Sequence, residues 1–166
     1  MLRTNVPVQA LDPADTVRAY KSLARVERAF RSLKTVDLDI RPVFHWVSPR
    51  VRAHVFLCML AYYLEWHMRQ ALAPILFEDH DRPAAEALRA SPVAKAQPSP
   101  AAKRKVKSKR TDDGLPVHSF QTLLADLATL TRNTVRLPGA RTVALLATPT
   151  QIQQHAFDLL GFKPQL

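Results

Sequence analysis

Tyr20-Lys-Ser-Leu-Ala-Arg-Val-Glu27-Arg-Ala-Phe-Arg31-Ser-Leu-Lys34 is the stretch whose reading decides the fold. In a helix turning about 100° per residue, residues seven apart lag one another by only about 20°. Tyr20, Glu27 and Lys34 therefore form one narrow stripe. Arg31, one turn after Glu27, lies beside it. Leu23, Val26, Phe30 and Leu33 make a separate apolar arc suited to a core. Glu27 sits at the border of the two with a cation on the next turn. Two readings are open at this spacing. One is a helical ion pair with Arg31, worth a few tenths of a kcal/mol. The other is a carboxylate that holds a metal ion beside a nucleic-acid backbone. Spacing alone favours the ion pair.

The helix has a readable start. Asp12 can cap it, Pro13 suits the first helical position, and Asp15 places negative charge at the N-terminal turn. Residues 1–11 read as extended, and the helix is expected over Pro13–Lys34. Beyond it the period changes: Val36, Leu38 and Ile40 alternate with Asp37, Asp39 and Arg41, the pattern of a short half-buried strand or extended segment. Ser48-Pro49 then opens a second helix to about Leu72. Val55–Leu64 carries no charge, yet ten residues cannot cross a bilayer that needs about 20. This helix is expected to be buried in a globular core, with His54 as a satisfied core histidine, Cys58 as a small buried hydrophobe and His67 on the surface.

Residues 79–117 are rich in Ala, Pro and Lys, and Ala101–Arg110 is a basic run. Such a composition buries too little apolar surface to offset chain entropy, so a disordered or loosely helical basic linker is expected. The tail from residue 118 orders again. Ser119 can cap a helix over about Phe120–Leu130, Pro138-Gly139 suits a hairpin turn, and Thr148-Pro149 opens a last helix that Gly161 ends. The fold class is thus mainly α with minor β, in three parts: 1–78, a linker at 79–117, and a helix–hairpin–helix extension at 118–166.

Charge bounds the function classes. The chain carries 24 Lys and Arg against 14 Asp and Glu, a net +10, which points to a polyanionic partner such as DNA. Half of that excess, +5, lies in residues 81–117 (9 bases, 4 acids), so the folded parts are only mildly basic. One Cys excludes an intramolecular disulfide and fits a reducing cytoplasm. Met1-Leu-Arg-Thr-Asn lacks the apolar run of a signal peptide, and no membrane partner is expected.

The stretch Tyr20–Lys34 resembles the insertion-sequence-four group of transposases, members of the DDE superfamily. Their signature around the third catalytic acid is Tyr-x2-Arg-x3-Glu-x6-Lys. Tyr20, Glu27 and Lys34 fall at its spacing, while Leu23 occupies the arginine position. Leu2-Arg3-Thr4-Asn5, Arg41-Pro42, His45 and Arg50-Val-Arg-Ala-His54-Val-Phe-Leu-Cys58 extend the resemblance over about residues 1–75. The resemblance implies the C-terminal piece of an RNase H-like catalytic domain. Glu27 would then be a catalytic carboxylate and metal ligand, in a site where carboxylates hold two Mg2+ ions. By the same resemblance Tyr20 and Lys34 would contact DNA phosphates at insertion-sequence ends. Arg31, about 40° from Glu27 on the same side of the helix, could supply the charge missing at Leu23. The first two catalytic Asp residues have no counterparts here, so the chain is expected to be a transposase fragment inactive alone. The alternatives are a basic DNA-binding module or an inhibitor of an intact transposase.

Overall fold

The computed structural model describes residues 2–36, 38, 40–136 and 142–163. The chain is mainly helical with one small antiparallel sheet. It divides into two units, Met1–His67 with Ala87–Gln97, and Met68–Glu86 with Pro98–Leu166.

The first unit is built on two long helices. Helix α1 spans Pro13–Arg31; Asp12 caps it by accepting from the Asp15 amide at 2.7 Å, and Pro13 occupies the first turn. It continues into a π-helical turn over Ser32–Val36. The short strand or extended segment expected next shows no strand at Val36, Leu38 or Ile40, the members of it that the structure describes. With no neighbouring strand to pair with, the backbone bonds backwards instead: the Leu38 amide donates to the Ser32 carbonyl and the Ile40 amide to that of Leu33. Asp37 and Asp39 lie outside the described residues. Residues 7–11, expected to be extended, close a turn in which the Ala10 and Leu11 amides donate to the Pro7 carbonyl.

Helix α2, Ser48–Leu72, has the expected bounds but not the expected burial. Leu72 at its end is its one buried residue, whereas Phe56 is 63% and Tyr63 62% exposed. The apolar run is therefore an uncovered helix rather than the heart of a core. No apolar side chain among the described residues of the first unit is buried. His54 has Nε2 3.2 Å from the Ile40 carbonyl and its ring edge-on to His45, so it has a polar partner as expected, but it is half-buried and not in a core. Cys58 is half-buried, and His67 is exposed against Tyr63 and Trp66.

The second unit owns the core. Leu72, Ile75, Leu76, Phe120, Leu123, Ile152 and Ala156 pack together. Their elements are the end of α2, a 3-10 turn Ala73–Ile75, helix α5 (Phe120–Leu127) and helix α6 (Gln151–Leu159). Helices α3 (Arg82–Ala87) and α4 (Pro100–Ser108) stand in the segment expected to be a disordered or loosely helical linker. That expectation is corrected: Ser99 is fully buried and caps α4, and Ala102 and Lys105 on one α4 face are buried. Strands β1 (Arg132–Arg136) and β2 (Thr142–Leu146) pair antiparallel, with Val135 opposite Val143. This is the expected helix–hairpin–helix order, although the Pro138-Gly139 turn lies outside the described residues. Helix α6 starts at Gln151, later than expected, because Thr150 and Gln153 form a capping box. Gly161 ends it at φ +66°, the left-handed conformation glycine adopts without strain.

Lys105 decides how this unit closes. Only 4% exposed, it sends its ammonium to the carbonyls of Ala73 (2.7 Å) and Glu78 (2.8 Å), and its Nζ lies 3.2 Å from His80 Nδ1. Burial pushes the Lys105 pKa below its ordinary value, with Asp79, Glu78 and Asp112 partly offsetting this. Asp79 receives the Ser99 amide and hydroxyl, both at 2.7 Å, and the Asp81 amide. Burial alone would raise its pKa, but those hydrogen bonds and nearby His80 hold the carboxyl below the ordinary value.

Lys105→Ala strips a donor from buried carbonyls and is expected to destabilise the second unit by about 1–3 kcal/mol, read as a lower urea midpoint. An unchanged midpoint would contradict the clamp. Asp79→Asn is expected to lower stability by about 1–2 kcal/mol at neutral pH. Because the folded-state pKa is depressed, that advantage is present above the ordinary carboxylate pKa of 3.8 and is lost as pH falls through the folded value. Denaturation curves of wild type and variant should therefore converge in acid.

Candidate functional site

The candidate residues all belong to α1 and the turn that follows it. Tyr20, Glu27, Arg31 and Lys34 are all exposed. Among the described residues no ion pair joins Glu27 to Arg31, so the plain helical pairing is not made. Glu27 stands as an open carboxylate on a helix whose neighbouring positions, Arg25, Arg28 and Arg31, are cationic.

The stripe is only partly kept. Tyr20 and Glu27 both lie within regular helix, about 10 Å apart along the axis. Lys34 lies in the π turn, where each residue rotates the chain by less than in an α-helix. It falls further behind Glu27 than the regular 20°, and its ammonium sits 6.0 Å from the centre of the Phe30 ring. Tyr20 has a second occupation. With Leu2, Val6, Val8 and Val17 it lines an apolar groove of about 640 Å³.

The apolar arc of α1 is open as well. Leu23, Val26 and Phe30 are each at least half exposed. A residue not singled out in the sequence does the structural work on this helix. The Lys21 ammonium donates to the carbonyls of Pro92 (2.6 Å), Val93 (2.9 Å) and Ala94 (3.3 Å). Arg89 donates to the Ala94 carbonyl too. Three carbonyls converging on one ammonium leave no sequence signal, since their spacing depends on the turn that presents them.

These residues do not fit a two-ion site. Asp15 is bound to Arg18 at 2.6 Å, and lies about 18 Å from Glu27 along the helix. Asp12 is committed to capping. Among the described residues no three His, Cys, Asp or Glu gather where they could hold a metal ion. Glu27 could contribute one ligand to a site completed by other carboxylates, and this arrangement shows no step through a metal.

A second basic surface lies on α4. Lys103, Arg104 and Lys107 are exposed, followed by Lys109 and Arg110. Lys105, in the middle of the run, points inward and is not available to a phosphate. No helix among the described residues is long and apolar enough to cross a membrane. No family model, no curated protein and no solved structure matches the chain.

Lys21→Ala is expected to free the 91–94 turn while leaving α1 helical. Limited proteolysis should cleave at Pro92–Ala94 several-fold faster, with far-UV circular dichroism unchanged. Equal cleavage rates would show that the ammonium does not hold the turn.

Proposed function

We propose that the chain is a transposase-derived DNA-binding protein, carrying the C-terminal part of an RNase H-like, insertion-sequence-four-like catalytic domain and unable to cut DNA alone. One observation supports this reading: the helix bearing Tyr20 and Glu27, with Lys34 at the signature spacing in the turn that follows, leaves its apolar arc uncovered. A helix of that pattern is built to lie on something, and an RNase H-like sheet is what the resemblance supplies. Glu27, unpaired and exposed, is then the third acid of a Mg2+ site whose other carboxylates come from a second polypeptide, such as an intact transposase. Tyr20, Arg31 and Lys34 face the DNA backbone in that assembly.

The α4 surface favours a second component of the same reading, a phosphate contact without sequence preference. Its exposed cations, Lys103, Arg104 and Lys107, supply the electrostatic part of binding.

Two measurements test the proposal. Affinity for insertion-sequence-end duplexes should exceed that for scrambled duplexes and drop when Tyr20 and Lys34 are both changed to Ala. Neutralising Lys103, Arg104 and Lys107 to Gln should weaken both duplexes alike and lower the salt slope by about 2–3. Incubation with Mg2+ should produce no nicking. Cleavage by the chain alone that Glu27→Gln abolishes would overturn the incomplete site. Binding indifferent to salt between about 50 and 200 mM would overturn the DNA role.

A further inference from the structure

Helix α2 carries two unlike stripes. His54, Val55, Cys58, Ala61 and Tyr62 are half-buried. On the opposite side Ala53, Phe56, Leu60, Tyr63 and His67 are exposed, spaced alternately by three and four residues. That spacing is the seam along which two helices pack side chains into one another's gaps. Arg52, Met59 and Trp66 run along one edge of it.

We propose that this seam is a homodimer interface, in which α2 packs antiparallel on α2 of a second copy about a two-fold axis near Met59. The inference rests on α2 alone and stands independently of the transposase reading. Three observations select a second copy as occupant. First, no charge lies between Ala53 and Leu64, so two copies bury this stretch without desolvating an ion. Second, the edge is self-complementary in the antiparallel sense. Pairing about Met59 sets Arg52 against the partner's Trp66, a cation over an aromatic face, and does so twice by symmetry. A parallel pairing instead gathers Arg50 and Arg52 of both copies at one end and leaves Trp66 without a cation. Third, the area suffices. The seven large apolar residues from Phe56 to Trp66 are each 45–63% exposed. At roughly 100 Å² apiece they offer about 700 Å² per copy, or about 1,400 Å² in total, within the range of specific interfaces.

The experiment is sedimentation velocity of the full chain from about 1 to about 100 µM, the range that reads a micromolar Kd. The wild type is expected to be a dimer. Leu60→Glu, which places a charge at the centre of the seam, should raise Kd at least tenfold with helical content unchanged; Phe56→Lys should do the same one layer away. Direction is read by thiol crosslinking in a Cys58→Ser background. Met59→Cys should crosslink to itself and Ala53→Cys should not. A wild type monomeric throughout overturns the interface, as does a Leu60→Glu variant as dimeric as wild type. Crosslinking of Ala53→Cys in place of Met59→Cys overturns the antiparallel arrangement.

Discussion

The ammonium of Lys105 is the contact on which the second unit depends. The end of α2 and the 3-10 turn after it present carbonyls that no further helical turn can satisfy. A cation is what the C-terminal end of a helix prefers. Lys105 supplies it from a different helix, reaching the carbonyls of Ala73 and Glu78. The arrangement works against desolvation, and the acids beside it are what make it tenable. Asp79 acts twice. It lends negative charge to Lys105, and it takes both the amide and the hydroxyl of Ser99, the residue that caps α4. One segment, 73–80, thereby fixes both the cap of α4 and its centre.

The same device recurs at the other end of the unit. Gln153, 2% exposed, accepts the Thr150 amide and donates to the Asp126 carbonyl in the last turn of α5 and to the Thr129 hydroxyl just beyond it. Two inward polar side chains on two helices thus close the open ends of two others. The apolar cluster between them is small, seven buried residues among those described, and hydrophobic burial does not by itself choose which helix end meets which. The polar hooks do, because each leaves specific carbonyls unsatisfied in any other arrangement.

How much of this was legible depends on the range of the interaction. Helix starts are local, so Asp12-Pro13 and Ser48-Pro49 mark α1 and α2 directly. Ser99-Pro100 is the same kind of signal and marks α4 equally well. The basic composition around it speaks against a core only if every lysine points outward. Lys105 does not, and its acceptors lie about 30 residues away, where no periodicity records them. The strand or extended segment expected near Val36–Ile40 shows no strand at its described residues for a related reason. Alternation describes one strand, but a strand exists only with a neighbour. At the candidate site, the Tyr20–Glu27 half of the stripe was readable because α1 is regular there. Lys34 was misplaced because a π turn leaves no signature in residue types.

The first unit poses the opposite problem, since its helices hold their shape with no apolar residue buried among those described. Its two open faces are not interchangeable. The arc of α1 is narrow and bordered by Glu27 and Arg31, so whatever covers it must leave those charges wet or pair them. That condition suits a sheet edge beside a phosphate backbone. The seam of α2 has no charge across its centre and a cation and an aromatic ring placed to answer each other across a two-fold axis. That condition suits a copy of itself. Charge at the border of an apolar face, rather than the extent of the face, therefore separates the two surfaces.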